Sequence, residues 1–193
     1  MSAEKTTSND IVASGLLAGT GSGEQTKATG RFDIQCFDKD GNLKWEDSNH
    51  NLVVNGGLQY MAGSALTATT AITAWFIGLY GAAASNNPAA ADTMASHAGW
   101  TEVVAYSNST RVAATFVAAT NANPSVVTNS ASPATFNMNA TTTVGGAFLV
   151  SNSAKSGTTG TLFSAADFQS PGDRSVINGD TLVVTYTFSL LPT

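Results

Sequence analysis

Thr181-Leu182-Val183-Val184-Thr185-Tyr186-Thr187-Phe188-Ser189-Leu190 decides the fold. Leu182, Val184, Tyr186, Phe188 and Leu190 fall on one face, and Thr181, Thr185, Thr187 and Ser189 on the other. A strict period of two predicts a β-strand with one buried face. Asn178-Gly179-Asp180, immediately before it, supplies a tight turn. So regular a strand is an aggregation hazard if left at an open edge.

Working outward, Phe32, Ile34 and Cys36 alternate with polar residues from Arg31 onward. Asp38-Lys39-Asp40-Gly41-Asn42 then leads to Leu43 and Trp45, which reads as a hairpin. Asn55-Gly56-Gly57 breaks the pattern before Leu58, Tyr60, Met61 and Leu66, whose spacing permits one short helix. Trp75-Phe76-Ile77-Gly78-Leu79-Tyr80 is apolar on both alternating faces, as expected of a strand buried on two sides or at a subunit contact. After a small-residue loop from Ala82 to Gly99, strand signals resume at Thr101–Tyr106, Arg111–Val117, Ala134–Met138, Val144–Val150 and Thr161–Phe163. Many short strands with almost no helix predict an all-β chain, an antiparallel two-sheet β-sandwich of jelly-roll type, with an immunoglobulin-like order as the main competitor.

Residues 1–30 are poor in large apolar groups and contain Gly19-Thr20-Gly21-Ser22-Gly23, so they are expected to form a flexible N-terminal arm ahead of a β-sandwich domain at 31–193. Within the arm, Ser8 or Asp10 is placed to cap a short helix carrying Ile11, Val12, Leu16 and Leu17, a possible docking peg. This start has no basic n-region, and no stretch reaches the roughly 18 apolar residues of a spanning helix. A chain made in a cytoplasm, with no export route of its own and no membrane partner, is expected.

Charge is distributed very unevenly. Of 21 charged residues, 13 lie in the first 47 positions. The remaining stretch holds only eight: Asp92, Glu102, Arg111, Lys155, Asp167, Asp173, Arg174 and Asp180. The body therefore meets its surroundings with Ser, Thr, Asn, Ala and Gly, and offers trypsin-like proteases only Arg111, Lys155 and Arg174. A net charge of −5 with so few clustered cations excludes nucleic acid as a partner. The single cysteine, Cys36, cannot form an internal disulfide and falls on an apolar strand face.

Motifs that carry chemistry fail on inspection. Asp38-Lys39-Asp40-Gly41-Asn42 resembles a calcium loop, but Leu43 stands at its sixth position and Asn49 at its twelfth, so a hairpin turn is expected. Asp92, Ser96 and His97 are close in sequence, yet no Gly-x-Ser-x-Gly elbow surrounds a serine, and a triad is built by geometry rather than proximity. His50 and His97 are too far apart for a zinc motif, and Gly19-x-Gly21-x-Gly23 lacks the Gly-Lys-Ser/Thr ending of a phosphate loop. Asp173 and Asp180 flank turns, where aspartate serves the backbone. Asn108-Ser109-Thr110 and Asn139-Ala140-Thr141 match the glycosylation pattern without an export signal. Trp45, Trp75 and Trp100 adjoin strand signals and are expected in the core, the alternative being a sugar-binding platform. No catalytic, cofactor-binding or metal-ligating residue is assigned, no cofactor is expected, and the chain is not expected to be an enzyme.

Gly99-Trp100-Thr101-Glu102-Val103-Val104-Ala105-Tyr106-Ser107, Gly145-Gly146-Ala147-Phe148-Leu149-Val150-Ser151-Asn152-Ser153, Gly160-Thr161-Leu162-Phe163-Ser164 and Asn178-Gly179-Asp180-Thr181-Leu182 resemble phrases of tailed-bacteriophage structural proteins. Asn51-Leu52-Val53-Val54-Asn55-Gly56-Gly57-Leu58 fits the same style, so the likeness spans roughly residues 50 to 190. The resemblance implies a virion component: a capsid decoration (cement) protein on the major capsid protein lattice, expected as a homotrimer. The alternative it implies is a tail-fibre or receptor-binding module recognising a host surface glycan. It carries no catalytic residues to transfer.

Overall fold

In a computed structural model the protein is described over residues 26–81, 87–169 and 172–192. It is mostly β, every strand pair is antiparallel, and one helix of 12 residues is present among the described residues. The expected arm lies outside the described residues as far as residue 25, and with it the capped helix carrying Ile11 to Leu17. Ordered pairing begins at Thr26 rather than Arg31.

The alternating C-terminal stretch is strand β13 (Thr181–Pro192), which occupies the middle of the first sheet. One side pairs along its whole length with β1 (Thr26–Phe37), from Phe37↔Thr181 to Thr26↔Pro192. The other side is shared by β8 (Ala134–Asn137) and β7 (Ser125–Thr128). Neither edge of the most aggregation-prone strand is open. Leu182, Val184 and Tyr186 are buried, whereas Phe188 is half-buried and Leu190 is 38 % exposed. The last turn of the alternation thus runs past the core.

β2 (Leu43–His50) closes the far side of β1 as an edge carrying exposed Lys44, Glu46 and His50, charges that discourage edge-to-edge pairing. The turn between them is built by Asp38, whose Oδ1 accepts from the amides of Asp40 (2.9 Å) and Asn42 (2.8 Å). Gly41 there takes φ +83°, a conformation that favours glycine.

The second sheet runs β3 (Leu52–Val53), β11 (Leu162–Asp167), β10 (Gly146–Val150) and β4 (Phe76–Gly81). β5 (Thr101–Val103) and β6 (Val112–Ala113) share the outer side of β4. Ile77, Leu79, Ala147 and Leu149 from this sheet share one core cluster with Phe32, Ile34, Val184 and Tyr186 of the first. Its opposite face carries Tyr80, Phe148, Val150, Leu162 and Ala165, packed with Met94 and Trp100 of the loop that precedes β5. The doubly apolar Phe76–Tyr80 segment is therefore covered within a single chain. A subunit contact is not needed to bury it, which removes that support for a trimer. Gly78 is required by this packing, since a Cβ there would lie 2.2 Å from the Phe148 ring.

The expected helix is α1 (Asn55–Leu66), lying against β11. Gly57 is its buried contact: a Cβ would lie 2.2 Å from the Phe163 carbonyl oxygen. Tyr60 packs edge-on to Trp75 at 5.5 Å, and its hydroxyl accepts from the Ile72 amide at 2.9 Å.

Several boundaries differ from expectation. Arg111–Val117 shrinks to β6, and Thr101–Tyr106 shrinks to β5, with Tyr106 in a single bridge to Met138. Val144–Val150 divides into β9 (Thr142–Val144) and β10, because β9 leaves the sheet to pair with β12 (Arg174–Val176) as a separate ribbon.

Candidate functional site

Asp92, Ser96 and His97 do share one loop, but it is locked internally. His97 stacks on Trp100 with ring centroids 3.9 Å apart, and its Nδ1 lies 2.9 Å from the Trp100 carbonyl oxygen. Asp92 Oδ2 accepts from Trp100 Nε1 and from the Ala89 amide, both at 3.0 Å. Ser96 pairs with Thr93 through the backbone. The carboxylate is thus held by an indole rather than by the imidazole, an arrangement that pins the loop over the second sheet.

The other weighed residues occupy separate places. His50 is exposed on edge strand β2, and Asn108 bonds to β8 through Thr135 and Asn137. Trp100 is buried, Trp45 packs on Phe168 at 6.1 Å, and Trp75 lies between Tyr60 and Phe163. The three tryptophans are core and seam residues, so they form no shared flat platform. Among the described residues no group of three or more His, Cys, Asp or Glu is placed to hold a metal ion. No described helix is long and apolar enough to cross a membrane.

The informative geometry belongs to the few charges of the body, most of which point inward. Arg111 is only 1 % exposed and makes a forked pair with Glu102, Nε to Oε1 at 2.9 Å and Nη2 to Oε2 at 2.7 Å. Its remaining donors reach the Asn152 carbonyl at 2.9 Å and the Gly157 carbonyl at 3.0 Å, while Cζ sits 5.3 Å from the Phe148 ring centroid. Glu102 Oε2 also accepts from the Ser156 amide at 2.8 Å, at a residue held at φ +55°. One arginine thereby ties β5 and the start of β6 to the 152–157 loop. A planar five-donor guanidinium suits this task in a way lysine does not.

Asp180, also 1 % exposed, behaves similarly. Its Oδ2 accepts from Lys44 Nζ and from the Ile177 amide, joining β2 to the turn before β13. The hydrogen bond to Asp180 raises the Lys44 ammonium above its ordinary range. Nearby, burial first and the Asp180 charge second push the Cys36 thiol up to about 11.

The rest follow the pattern. Arg174 reaches Asp47 at 3.2 Å and lies over Trp45, its Cζ 5.3 Å from the ring centroid. Lys155 Nζ stands 3.7 Å from the Tyr106 ring centroid and donates to the Tyr106 carbonyl at 2.7 Å, with burial lowering its pKa. Tyr80 donates to Asp167 at 3.3 Å, and burial raises the Asp167 carboxyl above its usual value. Arg111 is accordingly no protease target in the folded chain. The role of Arg111 and Glu102 was not foreseen; the available signal was one isolated charge of each sign inside otherwise uncharged strand phrases.

What is left outward on the body is nearly neutral, with Asp173 its exposed charge. Exposed apolar side chains, among them Leu52, Leu58, Leu66 and Val104, are interspersed with Ser, Thr, Asn and Ala. Comparison with family models, with curated proteins and with solved structures finds no match to this chain.

Proposed function

We propose that this chain is a structural component of a tailed-bacteriophage virion, a decoration protein that sits on the outer surface of the major capsid lattice and clamps neighbouring capsomers. The observation that carries this reading is the nearly neutral surface of the body, most of whose few charges are turned inward. A neutral, short-side-chained face packs against a protein lattice with little charge desolvation. The resemblance of phrases between Asn51 and Leu182 to those of phage structural proteins points the same way.

The fold proposed is a two-sheet sandwich of jelly-roll type. Support comes from β1 pairing with β13 and from a chain that passes between the sheets at β2 to β3, β6 to β7, β8 to β10 and β11 to β13. The hairpins β1–β2 and β10–β11 stay within a sheet, which makes it an elaborated form. Homotrimer formation is part of the proposal and would multiply weak lattice contacts through valency.

Copy number in purified virions is the test. Quantitative mass spectrometry should find hundreds of copies, comparable with the major capsid protein; a few to some tens would place the chain in a tail appendage instead. The glycan-recognising alternative has less in its favour, because Trp45, Trp75 and Trp100 are committed to packing.

A further inference from the structure

An open apolar groove lies where the first sheet runs past the core. Ala28 on β1, Leu52 and Val53 on β3, and Leu58 on α1 supply its apolar lining, and Lys27, Thr29, His50 and Asn51 its polar lining. It encloses about 450 Å³. Leu58 is 48 % exposed and Leu52 40 % exposed, and Leu190, the partner of Ala28 across the ladder, extends the apolar strip. The groove therefore combines apolar and polar lining, and its leucines have no apolar cover among the described residues.

The described chain starts at Thr26, beside this groove. Ile11-Val12-Ala13-Ser14-Gly15-Leu16-Leu17 is the concentrated apolar stretch of the residues before it. Between Leu17 and Thr26 lie eight residues rich in Gly, Ser and Thr. A Gly/Ser-rich stretch of that length spans roughly 15–18 Å on average, enough to return to a groove whose lining includes Ala28. Asp10, directly ahead of Ile11, supplies an anion for Lys27 of the lining. Tethering keeps the segment at an effective concentration in the millimolar range, which favours the chain's own groove over a neighbour's.

We infer that residues 11–17 dock into the groove formed by Ala28, Leu52, Val53 and Leu58 of the same chain, covering its exposed leucines. This stands apart from the virion reading and holds or fails without it.

A nitroxide placed on Ser14→Cys in the full chain tests it. Cys36 is buried with its thiol pushed up to about 11, so the new cysteine takes the label. In isotope-labelled protein the amide signals of Leu52, Val53 and Leu58 should lose more than half their intensity. The loss should persist when the doubly labelled protein is diluted into unlabelled protein. It should disappear with Leu17→Asp and with Leu58→Asp, the fold of both variants being checked by the β13 amides; a loss that persists in both would overturn the inference. Undiminished signals would overturn the inference. So would a loss seen only when nitroxide and isotope are on different chains, since the groove would then take a second copy's segment.

Discussion

The β1–β2 hairpin and the body behind it use charge in opposite ways. In the hairpin the pairs are exposed and local: Arg31 with Asp33 two residues on, and Lys39 with the adjacent Asp40. In the body, Arg111 and Glu102 are almost wholly buried and join segments distant in sequence. The hairpin wears its charge as a solvated edge that discourages strand addition. The body uses scarce charge as internal fasteners, the Arg111–Glu102 fork being the most completely hydrogen-bonded, where loss of one partner strands the other. Lys44–Asp180 lies between the two regimes, one end half out and the other buried.

Stability measurements can break this contrast. The largest effect is expected for Arg111→Ala, which leaves Glu102 buried without its counter-charge and should cost about 3–5 kcal/mol in chemical denaturation. A loss below about 1 kcal/mol would mean that the fork is incidental. Lys44→Ala should cost about 1–3 kcal/mol, because Asp180 keeps the Ile177 amide but loses its cation. Arg31→Ala should fall within about 0–1 kcal/mol, the range of an exposed pair.

Alkali sharpens the same comparison. The Cys36 thiol and the Lys44 ammonium both have folded-state pKa values raised above their ordinary ones. A raised folded pKa favours the protonated form, so their contribution is complete below the ordinary value and is lost as pH rises through the folded one. For Cys36 that window runs from 9.0 to about 11. Denaturation midpoints should fall across it, and Cys36→Ala should fall less steeply; an equal fall would remove Cys36 from the account.

Much of the framework was legible because local patterns sufficed. The alternation of Leu182, Val184 and Tyr186, the Asp38–Asn42 turn and the helix after Asn55 each follow from spacing and turn chemistry. β7 was not legible: its Ser125-Val126-Val127-Thr128 is too short to show a period and is a strand only because β13 pairs with it. Nor was the cover over Tyr80 and Phe148, since Met94 and Trp100 sit in a loop without periodicity. The inward charges are illegible in the sequence for a related reason. A lone Arg111 and a lone Glu102 announce no partner until the fold sets them 2.7 Å apart.

Arginine-selective labelling of the native chain, read by mass spectrometry, tests the inward placement of the body's charge most directly. Arg31 should be modified readily, Arg174 slowly and Arg111 only on unfolding, following their side-chain exposures of 51 %, 20 % and 0 %. Modification of Arg111 at the rate of Arg31 in the folded protein would contradict the account.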